Sequence, residues 1–295
     1  MFDNGSIYGL LLWGTAIIML PASGSALDFT SIDFPGARAT VANGINSHGD
    51  VVGEYVDSQF HSHGFLLRGG EFSTIEYPGA SFTSAKGINT GGDVVGWYQM
   101  GTGPLFGFLL RSGTYHSISG PNRTGALANG INDSGEIVGG YSDSRGSHGF
   151  LLRGGAYANF DFPANYESLP DTDALGISLQ GSVVGDYLPF LAANGFLLRA
   201  GKFTSLQAPF SNLTLGTPQT NAFGVNGQGE IAGTFFDSIG QHNHGFLLNG
   251  GVFSVIDYPG TTSGTVVHGI NDHGDMVGGY GCAVTCMAHG FIARQ

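Results

Sequence analysis

Four histidines in this chain open the same tripeptide, His-Gly-Phe, at His63, His148, His244 and His289. Three of them follow an aspartate by five to seven residues: Asp57, Asp143 and Asp237. An imidazole held by a carboxylate is the base half of a hydrolytic triad. His61 and His242 stand two residues before His63 and His244, the spacing that puts two zinc-ligating rings on one face of a strand. Neither chemistry is completed. A catalytic dyad is not normally copied three times. Where the tripeptide histidine is replaced, by Phe106 and Asn194, the aspartate is replaced too, by Met100 and Pro189. Partners that come and go together mark a hydrogen bond that pins a loop, and that is the reading adopted. No nucleophile elbow, His-Glu-x-x-His helix, phosphate loop or dinucleotide fingerprint is present in the sequence.

The acidic turns invite a calcium reading. Asn132-Asp133-Ser134-Gly135-Glu136 and Asn271-Asp272-His273-Gly274-Asp275 begin like a calcium loop. They are too short to supply six or more oxygens, so they read as turns. No cofactor is expected, with Ca2+ or another divalent ion as the one candidate. Asp171, Asp173 and Asp237 are the carboxylates that an ion-dependent hydrolase or lyase would need to gather.

The elements that must position these residues are written six times. Gly44-Ile45-Asn46-Ser47-His48-Gly49-Asp50-Val51-Val52-Gly53 has copies from Gly87, Gly130, Gly176, Gly224 and Gly269, at intervals of 43, 43, 46, 48 and 45 residues. Each copy is followed by a Gly-Phe-Leu-Leu-Arg-like phrase. Such a period belongs to propeller blades and related arrays. Each repeat carries four strand signals rich in β-branched and aromatic residues. Asn-x-x-Gly and Arg-Gly-Gly segments supply the turns. The third strand is apolar on both faces (Phe65 and Leu67 on one, Leu66 on the other), so it must be covered on both. Gly53, Gly96, Gly139, Gly185, Gly233 and Gly278 are assigned to close approach between sheets. The last repeat stops after its third strand, and the missing fourth, Phe29-Thr30-Ser31-Ile32-Asp33-Phe34-Pro35-Gly36, stands at the start of the repeat region. A closed ring uses that permutation to pair away its free edges. The expected fold is all-β: a six-bladed β-propeller with four antiparallel strands per blade, closed by the N-terminal strand.

Residues 1–26 lie outside the repeat. An apolar run from Ile7 to Leu20 precedes Gly24-Ser25-Ala26, the pattern of a cleaved secretory signal. Residues 27–295 form the propeller, with no membrane span expected after signal removal. The net charge of −12 argues against nucleic acid. In an exported protein Cys282 and Cys286 are expected to form a local disulfide.

The His-Gly-Phe tripeptides and the Gly-Ile-Asn-x-x-Gly-x-Val-Val-Gly phrase resemble the HAF repeat family of extracellular bacterial proteins, over residues 27–295. Blades two and four depart at Phe106, Ser178 and Asn194. The resemblance implies export and says little about activity.

Asymmetry within the repeat locates a ligand. The residue before each Gly-Ile-Asn is Asn43, Lys86, Asn129, Leu175, Phe223 or His268, while its own predecessor is Ala in five copies and Val267 in the sixth. This position either lines the central channel or points into the blade interface. The second-to-third-strand loops and the crossovers are the longest and most varied segments, and function concentrates on such loops. Asn43, Lys86, Asn129, Phe223, His268 and Tyr166 are the candidate ligand-binding residues. Phe223, Tyr166 and Phe210 suit stacking on sugar rings or packing of loops. The expected function is a secreted, non-catalytic module recognising an extracellular polysaccharide or a surface protein. The alternative is the metal-dependent hydrolase or lyase with its ion in the channel.

Overall fold

The structure, a computed structural model, describes residues 27–120, 125–163, 171–188, 193–209, 219–237, 240, 242–281 and 288–295. The signal segment, Tyr166, Phe210, Cys282 and Cys286 lie outside the described residues. Among the described residues no helix is long and apolar enough to cross a membrane.

Six four-stranded antiparallel sheets form the ring. Blade one is β2 (Ala39–Ile45), β3 (Val51–Val56), β4 (Ser62–Arg68) and β5 (Glu71–Ile75), in that order outward from the axis. Blade two runs from β6 (Phe82–Ile88) to β9 (Thr114–Ile118), and blade three from β10 (Ala126–Ile131) to β13 (Ala156–Phe160). Blade four runs from β14 (Thr172–Ile177) to β17 (Lys202–Leu206), and blade five from β18 (Thr220–Val225) to β21 (Val252–Ile256). Blade six is β22 (Thr265–Ile270), β23 (Met276–Tyr280) and β24 (His289–Arg294), completed by β1 (Asp28–Ile32), whose Asp28 pairs with Arg294 and Ile32 with Gly290.

The core is six clusters, each between consecutive blades. Phe65 is fully buried with Ala42, Val51 and Tyr55 of blade one against Val277 and Ile292 of blade six. Leu66, on the opposite face of β4, packs against Ile88, Val94 and Phe108 of blade two. Aromatic crossovers fasten four of the six interfaces. Phe34, just after β1, stacks on Tyr55 of blade one at 3.7 Å between ring centroids. Tyr77 stacks likewise on Tyr98, Phe162 on Tyr187 and Tyr258 on Tyr280, each at 3.6 Å.

The Asn-x-x-Gly turn does two jobs. Asn46 Oδ1 accepts the N–H groups of His48 and Asp50, which shapes the turn. Its Nδ2 donates to the Asn89 carbonyl of the next blade at 3.1 Å. Asn89 reaches Asn132, Asn132 reaches Ser178, Asn226 reaches Asn271, and Asn271 returns to Asn46 at 3.1 Å. That last bond crosses the seam of the ring.

The structure corrects the role given to the Gly53 set. A Cβ on Gly53 would stand 2.0 Å from the Val41 carbonyl and 2.6 Å from the Phe65 ring, both in its own blade. These glycines leave room for the phenylalanine ring of the third strand against the backbone of the second. Close approach between sheets belongs instead to Gly44, Gly87, Gly130, Gly176, Gly224 and Gly269. Each would touch the α-carbon of the next at 3.2–3.3 Å if given a Cβ, and Gly269 closes the hoop on Gly44.

Candidate ligand-binding channel

The inner strands enclose an axial cavity of about 260 Å³. Asn43, Lys86, Asn129, Leu175, Phe223 and His268 all line it, so the varied position faces the channel. The reason is a β-bulge. In blade one the pairing slips between Ala42 and Gly44, and the same slip recurs in every blade. The residue at the slip has no register partner, and its side chain leaves the strand's alternation. Ile45, Ile88, Ile131, Ile177, Val225 and Ile270 line both this cavity and a shallower one among the Asn turns, and so divide the two. A third cavity, of about 240 Å³, carries Lys86, Asn43 and His268 along the ends of β2 and β3, past Val41 and Glu54 to Ala39 and Val56. Those strand ends adjoin the longer loops.

The backbone holds several of these side chains. Asn43 Nδ2 donates to the Ala85 carbonyl and Asn129 Nδ2 to the Ala174 carbonyl, each at 2.9 Å. Trp97, a channel residue that the repeat comparison did not single out, donates its Nε1–H to Asn129 Oδ1 at 3.0 Å. Its ring lies 4.3 Å from the Lys86 ammonium. Phe223 and His268 meet edge to face at 5.1 Å. Burial lowers the Lys86 pKa, against the pull of the Glu54 carboxylate. Burial, with the Lys86 charge, lowers that of His268 to about 4. His268 is therefore neutral at pH 7. Its Nδ1 lies 3.2 Å from the Ala42 carbonyl, which fixes the proton there and leaves Nε2 as an acceptor.

The opposite face is spent on its own turns. Arg68 pairs with Asp50 at 2.9 Å, Arg111 with Asp93 at 2.7 Å and Arg153 with Glu136 at 2.5 Å, each tying a third-to-fourth-strand turn to a first-to-second-strand turn. The carboxylates of the two loops read for calcium are engaged by the protein itself: Glu136 by Arg153 and Asn132, Asp275 by Asn271, Asp133 by Thr90 and Asp272 by the Gly227 N–H.

The His-Gly-Phe histidines are clamped more firmly than their sequence neighbours suggest. His63 Nε2 lies 3.3 Å from Asp57, and His148 Nε2 lies 3.1 Å from Asp143, as expected. Their Nδ1 atoms meet a second carboxylate from the outer strand, Glu76 at 3.0 Å and Asp161 at 2.8 Å. His244 takes Asp257 at 2.8 Å, and His289 takes Asp33 at 2.9 Å. The signal was present in the repeats: blades two and four, which lack the histidine, carry Ser119 and Gln207 at the carboxylate position. In blade six the pinning carboxylate, Asp33, comes from the segment that follows β1. Each ring also stacks on the aromatic opposite it, as His63 does on Tyr55 at 5.1 Å and His148 on Tyr141 at the same distance. Both nitrogens of His63 face carboxylates, and no three His, Cys, Asp or Glu side chains among the described residues are arranged to hold a metal ion. Asp237 ends its strand in blade five and accepts the Gly240 N–H. It stands apart from Asp171 and Asp173 in blade four.

Three solved structures share the architecture. AofleA from Arthrobotrys oligospora superposes with a TM-score of 0.56 at 13% identity, covering 92% of this chain and 88% of its own. The Aleuria aurantia lectin, in a mutant form in complex with Fucα1-6GlcNAc, superposes with a TM-score of 0.50 at 12% identity, covering 83% and 89%. TolB from Acinetobacter baumannii gives 0.52 at 10%, covering 88% and 66%. The likeness is one of fold. No family model and no curated protein matches the chain.

One acidic cluster sits beside the channel strands. Asp173 and Asp186 are register partners on β14 and the adjoining β15 (Val183–Tyr187). Burial raises Asp173 to about 6, with repulsion from Asp171 adding to it. Burial raises Asp186 to about 7, with Asp173 pushing the same way and a 2.5 Å hydrogen bond from Asn221 of blade five opposing. Both carboxyls keep a proton above the pH, about 3.9, at which an unfolded aspartate releases it. Their contribution to stability is therefore full below that pH and is lost as pH rises toward 7. Asp186→Asn keeps an acceptor for Asn221 and removes the charge. It should raise the melting temperature at pH 8 and flatten its decline between pH 4 and 7. A melting curve at pH 8 unchanged by the substitution would refute the assignment.

Proposed function

We propose that this chain is a secreted, non-catalytic binding module of the HAF repeat type that recognises a carbohydrate of an extracellular polysaccharide through the channel and the long-loop face. One observation carries the reading. In a frame whose turns, hoop and interfaces repeat around the ring, the residues projecting into the channel are all but unlike: Asn43, Lys86, Asn129, Leu175, Phe223 and His268. A scaffold requirement would repeat them, whereas a ligand without sixfold symmetry requires them to differ. Amide groups beside aromatic rings suit hydroxyl-bearing rings. The Aleuria aurantia lectin, solved with a fucosylated disaccharide, is an example of carbohydrate binding on this architecture.

A glycan and polysaccharide array probed with the protein, with and without a chelator, tests the reading. Binding is expected to survive the chelator. Phe223→Ala should weaken it at least tenfold with an unchanged melting curve, and Ser47→Ala, on the short-turn face, should leave it intact. Binding lost through Ser47→Ala and kept in Phe223→Ala would place the site on the wrong face.

A further inference from the structure

Lys86 is one of two lysines in a chain of net charge −12. Arg68, Arg111 and Arg153 each meet a carboxylate within 3 Å. Lys86 does not. Among the described residues its ammonium makes no hydrogen bond and no ion pair, and its close contact is the Trp97 ring face. Glu54 acts on it only through space, from the adjoining cavity. Holding a half-buried ammonium in the channel wall without an anionic partner is costly, and the cost is recovered when an anion arrives. Every other polar group on the axial cavity is neutral: the Asn43 and Asn129 amides, the Trp97 indole and the uncharged His268 ring. The cavity thus carries a single positive charge. Leu175, Phe223 and the rest of its volume, about 260 Å³, leave room for an organic body rather than a bare halide.

We propose that the channel binds a small organic carboxylate, with its anionic group on the Lys86 ammonium and its body against Phe223 and Leu175. The carboxylate comes either from a uronic acid of an acidic polysaccharide or from a free organic acid. The inference rests on the proposed function only in taking the channel as the ligand site. His268 Nε2 and Asn43 Oδ1, both acceptors, serve hydroxyl groups of the ligand.

Calorimetric titration of the full chain with glucuronate, glucose, benzoate and benzyl alcohol tests it. Each acid is paired with a neutral analogue, so the wild-type protein alone is decisive. At least one acid should bind at least tenfold more tightly than its neutral partner. Lys86→Met, which fills the same space without charge, should erase that preference. Glu54→Gln, which removes a like charge near the ligand, should preserve or strengthen it. Preference for glucuronate with weak benzoate identifies the sugar acid as the source. Tight benzoate with no glucuronate binding upholds the carboxylate site and overturns the carbohydrate reading. Glucose binding as tightly as glucuronate, with or without Lys86, overturns the carboxylate inference and leaves the carbohydrate reading standing. Failure of both acids to bind overturns the inference as well.

Discussion

Deleting residues 27–36 is expected to lower the melting temperature by about 10 °C or more, or to abolish folding. The segment is an integral part of two blade interfaces. β1 satisfies the free edge of β24 along five residue pairs, from Asp28–Arg294 to Ile32–Gly290. Ile32 is 4% exposed, and its truncation to Ala alone should cost about 2–5 kcal/mol. Phe29 packs on Tyr258 and Phe291, Ser31 bonds the Tyr258 and Tyr280 hydroxyls, and Asp33 holds His289. Phe34 then crosses to stack on Tyr55 of blade one. Deletion strips the outer face of blade six and the lock to blade one together, and it exposes a sheet edge. Thermal unfolding followed by circular dichroism checks this. A melting curve indistinguishable from that of the full chain would mean that β1 does not close the ring.

Gly139→Ala should cost more than about 4 kcal/mol, a loss at the extreme of what one methyl does. An added Cβ would stand 1.8 Å from the Leu127 carbonyl and 2.9 Å from the Phe150 ring. The carbonyl belongs to the neighbouring strand of the same sheet, and the ring is fully buried, so neither can move aside. Gly49→Ala is the control. Gly49 has a φ of 80° and open space around its α-carbon, so alanine there costs only the left-handed penalty of about 1–2 kcal/mol. Urea unfolding of both variants measures the difference. Equal losses would show that turn geometry, rather than the crowding of Gly139 by the Leu127 carbonyl and the Phe150 ring, is what this residue type serves.

The period, the punctuation and the permuted strand are local patterns, and all three could be read along the chain. Blade number, strand order and the closing strand followed from them. So did the Asn turns and two of the Asp–His pairs, because those partners are near in sequence. Contacts between distant segments were less legible. Glu76 lies 13 residues beyond His63, and Asp33 lies at the other end of the chain from His289, so each needs the register of two strands to be known. The Gly53 set was given the role that belongs to the Gly44 set for the same reason, since sequence shows that a Cβ is unwelcome but not which neighbour excludes it. Whether Lys86 and its counterparts face the channel or the interface turned on the bulge, which breaks the alternation by which a strand position is assigned a face. The Trp97 position varies around the ring as the channel position does (Glu54, Gly140, Asp186, Thr234 and Gly279 stand there elsewhere), but it lies on the second strand, and only the packing of neighbouring blades brings its indole to Asn129 and the channel.

The bulge has an evolutionary consequence. Because the residue at each slip lies outside the pairing register, neither the buried clusters nor the Asn circuit depends on what it is. Six sites around one axis are thereby released from the grammar of the fold and can be rewritten one at a time. A lineage that duplicated this blade would inherit a blank letter with every copy, and could change the word spelled in the channel without relearning how to fold.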